Sequence, residues 1–388
     1  MTNQIGPVTV GPVAHGGHCV ARHDGRVVFV RHALPGESVT VRLTDTTHDA
    51  YWRGDAVAVH RASPHRVAAP CPISGPGGCG GCDLQHVAPA HQAEWKRQVV
   101  AEQLQHLAGI DWEGTVEPVT PGPGDGGWRT RMRWFADPDG RWGLRRHRSH
   151  QVIPLPAQGC GIALVDPPPV PDDNTAATAD VAVDADGTVA VTVDGERVGG
   201  PDVLRQRAAG HDYRVAVDGF WQVHPAAAET LVAAVLDGLR PEPGERALDL
   251  YCGAGLFAGA LADRDVRVQG VEGSAEAVRQ ARHNVPQARF RAGRVDRVLR
   301  SLPRRSDLVV LDPPRKGAGR AVVRGVLARR PRAVAYVACD PAALARDLRT
   351  VRDAGWQVAS IRAFDLFPMT HHVECVAIVV PGTGLSGE

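Results

Sequence analysis

Cys339 closes an apolar run, Ala333-Val-Ala-Tyr-Val-Ala, and is followed by Asp340-Pro341 and a segment of helical period, AALARDL. A thiol beside a helix N-terminus sits where a thiolate is stabilised, so its pKa is expected below the free value of about 8.5. Further on, His371-His372-Val373-Glu374 opens a second apolar run. Loss of solvent there should raise the carboxyl pKa and make Glu374 a usable base near neutrality. His372 is a rival base, and Cys375 reads as core. A buried structural cysteine and a strand-edge carboxylate in an ion pair are the plainer readings of these two residues. Taken together, thiol and base supply nucleophilic addition followed by proton abstraction and elimination.

The segment Asp249-Leu-Tyr251-Cys-Gly253-Ala-Gly255-Leu-Phe, with Gly270-Val-Glu272 after it, has the form of a strand, a glycine turn and a helix, with an acid closing the next strand. Such a turn brings backbone N–H groups close to a ligand at the strand's carboxyl end, and the later acid suits a ribose diol. The dinucleotide pattern G-x-G-x-x-G fails, because Gly259 falls one position late. D-x-x-x-G-x-G with a following acid suits S-adenosylmethionine (SAM), against an ordinary strand-to-helix turn. Asp312-Pro313-Pro314-Arg315-Lys316 follows the apolar DLVVL, and its prolines stiffen the chain at the sheet edge where ligands bind. Thiol, base and SAM turn form the minimum inventory for methylating carbon 5 of uracil. The thiolate adds at carbon 6, carbon 5 takes the methyl group, and a base then removes the carbon 5 proton.

A third group is Cys71, Cys79 and Cys82 in PCPISGPGGCGGCDLQHV, with Cys160 isolated in Pro156-Ala-Gln-Gly-Cys160. Eight cysteines in 388 residues are too sparse for a disulfide scaffold. Their clustering points to a metal or a catalytic thiol. Zinc sites of four cysteines usually come as two C-x2–4-C knuckles, and only one is present here.

These groups need elements to hold them. Residues 1–60 read as short alternating strands, VTVGPVA, GRVVFVRHAL, ESVTVRLTD and GDAVAVHRA, best closed into a small β-barrel. AHQAEWKRQVVAEQLQHLAGI (helix 90–110) has Trp95, Val99, Val100, Leu104, Leu107 and Ala108 on one face, with Lys96, Arg97, Glu102 and Gln105 mostly on the other. Residues 128–153 read as a basic hairpin about a DPDG turn. Trp128, Thr130, Met132 and Trp134 point one way, and Arg129, Arg131 and Arg133 the other, towards RNA phosphates or plain solvent. Residues 166–187, rich in Pro, Ala and Asp, read as a loop or poorly ordered insertion. From about 216 onward apolar strands alternate with helices, as in an open α/β sheet covered on both faces. The expected organisation is therefore a barrel at 1–60, a central β-rich metal-binding domain at 61–215 and a Rossmann-like methyltransferase domain at 216–388.

Lys+Arg total 44 against 43 Asp+Glu, a balance that excludes a uniformly basic nucleic-acid coat but not a local basic face. No apolar run has the ~18 residues that a membrane span needs. MTNQIGPVTVGPVAHGG lacks the cationic start and apolar stretch of a secretory leader, so the cytoplasm is the expected compartment.

Over nearly its whole length the chain resembles the bacterial RNA uridine-5-methyltransferases, a group with tRNA and iron–sulfur 23S rRNA members. PGESVTV and the first strands resemble the TRAM barrel of that family. CGGCDLQH…EWKRQ, the R-T-R/R-R-H-R-S-H region, FWQVHP, LDLYCGAG, DPPRKG, YVACDPAALARDL and MTHHVECV are similar to its motifs in the same order. The resemblance implies Cys339 as nucleophile and Glu374 as the base. It implies Gln222, Tyr251, Glu272 and Asp312 at the SAM site, beside Gly253 and Gly255 of the glycine turn, and Phe220 near the target base; the hairpin pattern adds Arg129, Arg131 and Arg133 as RNA contacts. It implies a [4Fe–4S] cluster on Cys71, Cys79, Cys82 and Cys160, with zinc as the alternative. The partner would be 23S rRNA or tRNA, with the target base unstacked; no membrane or protein partner is implied. The chain departs from the family in its C-x7-C gap, in Leu256, in Arg294 with Asp296 nearby, and in Asp340 where asparagine is commoner. Cytosine-5 methylation, and a non-catalytic iron–sulfur or RNA-binding protein, are the competing readings.

Overall fold

The computed structural model describes residues 3–122, 124–169 and 177–382. At its N-terminus β1 (Gln4–Ala14), β2 (His18–His23), β3 (Arg26–Arg31), β4 (Ser38–Asp45) and β5 (Tyr51–Arg61) close a barrel in the order β1-β2-β3-β5-β4. Period two sends Val8, Val10, Val28, Val30, Val39 and Val41 inward, so the barrel has its own core and no free edge. Sequence patterning overlooks β2, since HCVARH has few apolar residues; Cys19 and Ala21 nevertheless face the interior.

After the cysteine loop comes α1 (Pro89–Ala108), which ends at Gly109 in a left-handed conformation. This helix joins two cores. Trp95 and Val99 pack on the barrel, whereas Val100, Leu104 and Ala108 pack on the C-terminal sheet. Lys96 therefore does not lie on a solvated face. It is fully buried, with Nζ 2.5 Å from Asp365 Oδ1 and 3.0 Å from the Phe367 carbonyl. The reason is tertiary: both sides of α1 are covered, and an ammonium there must find fixed acceptors.

β6 (Val116–Pro118) joins the edge of the C-terminal sheet. The central region is a six-stranded sheet, built from β7 (Arg131–Ala136), β8 (Trp142–Arg145), β9 (Val152–Pro154), β10 (Thr178–Val183), β11 (Val189–Val193) and β12 (Glu196–Gly199) in the order β12-β11-β10-β7-β8-β9. The expected hairpin about DPDG is present as β7–β8. The stretch 166–187 is not a loop throughout: β10 runs through it as a central strand, with Ala179 opposite Trp134 and Val181 opposite Met132. Small β10 residues accommodate the large β7 ones, which a composition reading of Ala and Asp does not reveal. Residues 170–176 of that stretch lie outside those described.

A hairpin of β13 (Val203–Ala208) and β14 (His211–Ala216) leads into the last layer: α2 (Ala227–Leu239), β15 (Arg246–Leu250), α3 (Leu256–Ala262), β16 (Arg267–Glu272), α4 (Ala275–Asn284), β17 (Arg289–Ala292), α5 (Val295–Val298), β18 (Leu308–Leu311), α6 (Arg320–Leu327), β19 (Ala333–Ala338), α7 (Pro341–Asp353), β20 (Trp356–Asp365) and β21 (Glu374–Pro381). The eight strands run β17-β16-β15-β18-β19-β21-β20-β6. α2, α3 and α4 cover one face; α1, α6 and α7 cover the other. Strands β15 to β19 are parallel, and β21 enters antiparallel between β19 and β20. The start of β21 thus lies at the edge where the parallel strands end. Among the described residues no helix is long and apolar enough to cross a membrane.

Candidate active site

The glycine turn follows β15. Tyr251, at φ 67°, begins it, and the Tyr251 and Cys252 amides donate to the Val271 carbonyl at 2.8 and 3.1 Å. Gly255 has φ 95°, and a Cβ there would lie 3.2 Å from Val285 Cγ2, so only glycine turns the chain into α3 without strain. Glu272, ending β16, accepts from the Gly253 amide at 3.1 Å and the Ser274 amide at 2.9 Å. Its carboxylate is therefore fixed across the turn. Beneath it, Asp249 accepts from the Ala258 amide through Oδ2, while its buried Oδ1 has no partner. Burial, with Asp312 and Glu272 nearby, pushes the Asp249 carboxyl up to about 8. Asp312 is raised to about 7, again by burial and then by Glu272.

One cleft of about 1110 Å³ runs over these strand ends. Gln222, Tyr251, Gly253, Glu272 and Asp312 line it, as do Phe220, Arg129, Cys339 and Glu374. Phe220 is 70% exposed, an unusual state for a phenyl ring, on a strap whose Val223 carbonyl accepts from the Thr130 amide and hydroxyl.

β19 and β21 pair with Ala338 opposite Cys375. Continuing that antiparallel register by one residue sets Cys339 opposite Glu374, at the tips of adjacent strands above the same cleft. Cys375, one step along, points to the opposite face and is fully buried core. The Cys339 thiol is not activated as the helix position suggests. Burial raises it to about 12, Glu374, Asp312 and Asp340 add to the rise, and only Arg315 opposes them. A helix terminus contributes about 0.3–1 kcal/mol, too little against desolvation and neighbouring carboxylates. Glu374 is also raised well above the ordinary range, by burial and then by Asp312. His372, in contrast, is lowered to about 3 by burial, with His371 and Arg315 adding to it. A group with so little proton affinity is a poor base, and Glu374 is the stronger one.

The three arginines of the hairpin have different fates. Arg129 lines the cleft. Arg131 donates to the carbonyls of Val217 and Gly219 at 3.0 and 2.9 Å, so it holds the strap that carries Phe220 and Gln222. Arg133 forms a two-toothed pair with Asp180 at 2.6 and 2.8 Å on the next strand. Alternation fixes the side of the sheet but not the partners waiting there.

Cys71, Cys79, Cys82 and Cys160 line a second cavity of about 250 Å³, and Arg129 stands in the wall of both. None is in a disulfide. Burial raises Cys79 to about 11, and raises Cys82 and Cys160 as well. Among the described residues no three His, Cys, Asp or Glu side chains converge on the position of a single ion.

Several residues at the site escape sequence reasoning. Asp83, next to Cys82, bonds to the His371 ring at 2.5 Å and to Arg31 of the barrel at 3.2 Å. His15, in the turn after β1, lies 3.0 Å from Asp340. No local pattern marks these side chains, because each acquires its role only when distant segments dock.

The TRAM domain family matches residues 1–57, and the tRNA (Uracil-5-)-methyltransferase family matches residues 302–380. An RNA methyltransferase of Streptomyces avermitilis is 49% identical over 427 residues, covering 96% of this chain and 98% of its own. A 23S rRNA (uracil(1939)-C(5))-methyltransferase of a Shewanella species is 31% identical, covering 95% of this chain and 94% of its own. Among solved structures, a Pyrococcus abyssi tRNA (uracil-54, C5)-methyltransferase in complex with S-adenosyl-L-homocysteine superposes with a TM-score of 0.73 at 23% identity, over 96% of this chain and 99% of that one. At that identity the likeness speaks for the fold.

Proposed function

This chain belongs to the RNA (uracil-5-)methyltransferases, and from that premise we propose that it methylates carbon 5 of one uridine in structured RNA by way of a covalent adduct on Cys339. The observation that carries this reading is the facing register of Cys339 and Glu374 over the cleft that the glycine turn also lines. The turn suits SAM: Glu272 is preset by two amides for a ribose diol, and the orphaned Asp249 Oδ1 retains an acceptor below the turn. SAM supplies an electrophilic methyl group. Gln222, Tyr251 and Asp312 would bound it on the cleft side.

Burial raises the proton affinity of both reactive groups, the Cys339 thiol to about 12 and the Glu374 carboxyl well above the ordinary carboxylate range, so each must give its proton to solvent before it can act. Chemistry therefore begins with loss of the thiol proton to solvent, which the charge of Arg315 favours. The sulfur then bonds to carbon 6, the double-bond electrons move to carbon 5, and carbon 5 bonds to the methyl group as the methyl–sulfonium bond breaks and leaves its electron pair on the sulfonium sulfur. Glu374, ionised at this stage, removes the carbon 5 proton; the C5=C6 bond re-forms and the thiolate leaves. Its high proton affinity suits that step. Phe220 at the rim offers a ring on which an unstacked base or its neighbour can stack.

We propose a [4Fe–4S] cluster, with zinc as the alternative, on the four outlying cysteines. They line one cavity and their number matches the cluster's usual ligand set, while only one of the two knuckles usual for a four-cysteine zinc site is present. Such a group would tie the 71–82 loop to the turn at Cys160. Together with the Shewanella relative's substrate, this set favours 23S rRNA over tRNA.

Cys339→Ala tests the reading. Methyl transfer should fall by about four orders of magnitude or more, and the adduct with 5-fluorouridine RNA should vanish while folding persists. Unchanged methylation in this variant removes Cys339 as nucleophile. Mapping of methylated uridines in rRNA and tRNA, from cells with and without the gene, identifies the substrate.

A further inference from the structure

Two side chains of the N-terminal barrel reach the strand tips that carry the reactive pair. His15 Nε2 lies 3.0 Å from Oδ2 of Asp340. Asp340 caps α7, its Oδ1 accepting from the Ala343 amide at 2.7 Å, and it follows Cys339 directly. On the other side, Arg31 bonds to Asp83 at 3.2 Å, and Asp83 holds the ring and, at 3.4 Å, the backbone N–H of His371. Arg31 and Asp83 are 5% and 6% exposed, so this is a built contact and not a surface pairing. The His371 ring in turn packs tilted against that of His372, centroids 4.1 Å apart, just ahead of Glu374. The approach is close enough to exclude a side chain: a Cβ on Gly17 (φ +78°) would lie 2.9 Å from Asp83 Cβ.

We propose that the barrel is a working part of the active site, with His15 a positioning residue for Cys339 through Asp340 and Arg31 one for the loop before Glu374 through Asp83. The barrel turn then contributes to the covalent step itself, separately from any hold it has on RNA. This rests on the reading of Cys339 and Glu374 as the reactive pair. The physical basis is that a nucleophile on a strand tip has no neighbour beyond it, and its setting is only as firm as the cap of the helix that follows. Loss of His15 takes away the partner of Oδ2 and leaves Asp340 held by the Ala343 amide alone. The groups facing the thiol are Glu374, Asp312, Asp340 and Arg315, and only the last is cationic. An Asp340 carboxylate that has lost this hydrogen-bond partner can turn towards the thiol and makes it harder to ionise.

The test uses the full chain, with His15→Ala, His15→Gln (which keeps an N–H donor near the ring nitrogen's place) and Arg31→Met. Single-turnover methylation at saturating RNA should fall at least tenfold in His15→Ala and in Arg31→Met, with RNA Kd changed less than threefold, and His15→Gln should recover most of the rate. In RNA-free protein, iodoacetamide labelling of Cys339 should slow several-fold in His15→Ala and quicken in Asp340→Asn. A loss confined to RNA affinity, with the saturated rate and the labelling unaltered, overturns the proposal and leaves the barrel as a tether. If no RNA is methylated by the wild-type chain while labelling still responds to His15, the functional reading fails and the positioning role stands.

Discussion

The molecule has two neighbouring cavities with Arg129 in the wall between them, and they use burial in opposite ways. The larger gathers carboxylates and one thiol at strand ends, and burial there raises Asp312 to about 7, Cys339 to about 12 and Glu374 well above the ordinary carboxylate range. The smaller gathers four cysteines, of which Cys79, Cys82 and Cys160 are raised by burial. On the proposed reading the same desolvation serves acid–base work in one place and ligation in the other. What separates them is the companion groups: Arg315 with strand-end acids in the first, four thiols with Arg129 and Arg133 in the second.

The sharpest way to break this contrast is Glu374→Gln. Turnover should drop by about 10²–10⁴-fold, and a covalent RNA adduct should accumulate, because addition and methyl transfer proceed while elimination stalls. Absence of both turnover and adduct would place Glu374 in the earlier step. Next in size is the response to pH. Both reactive groups must lose protons, and both pKa values are raised, so the single-turnover rate should climb by about tenfold or more between about pH 6.5 and about pH 8.5. A plateau already reached at neutrality would mean that RNA binding lowers the thiol pKa below its ordinary value of about 8.5. In the smaller cavity, Cys160→Ser should release iron, bleach the protein and lower Tm by about 5 °C or more. The saturated methylation rate of the folded fraction should stay within about tenfold of wild type. Equal loss of rate and colour would merge the two cavities into one functional unit. The smallest effects belong to the wall and its flank. Arg129→Met should weaken RNA binding about tenfold, ~1.4 kcal/mol, whereas Arg133→Ala, already paired to Asp180, should change it less than about threefold.

Much of the catalytic layer is legible in the sequence because its signals are local. The glycine turn, Asp312-Pro-Pro, the strand ending at Cys339 and the one opening at Glu374 each declare themselves within about ten residues, and the structure brings them to one cleft. What stays hidden is made by docking. Lys96 occupies a polar position of the helical repeat, yet lies buried because α1 is covered on two sides. β10 is composed of small residues whose fitness shows only against Trp134 and Met132. Arg131 looks like its neighbours by alternation and turns out to be spent on two carbonyls of the strap. The acidity of Cys339 is misjudged for the same reason, since burial by docked segments raises its pKa most and two of the carboxylates that add to the rise, Glu374 and Asp312, come from elsewhere in the chain.

The antiparallel entry of β21 acts as a measuring device. Side chains alternate faces along a strand, so gaining or losing one residue between the pinned loop at His371 and the first rung of the ladder would not displace the carboxylate slightly. It would rotate Glu374 out of the cleft and deliver either Val373 or the core thiol Cys375 in its place. Length variation among such proteins should therefore gather in the far ends of α7 and β20, and stop short of this junction.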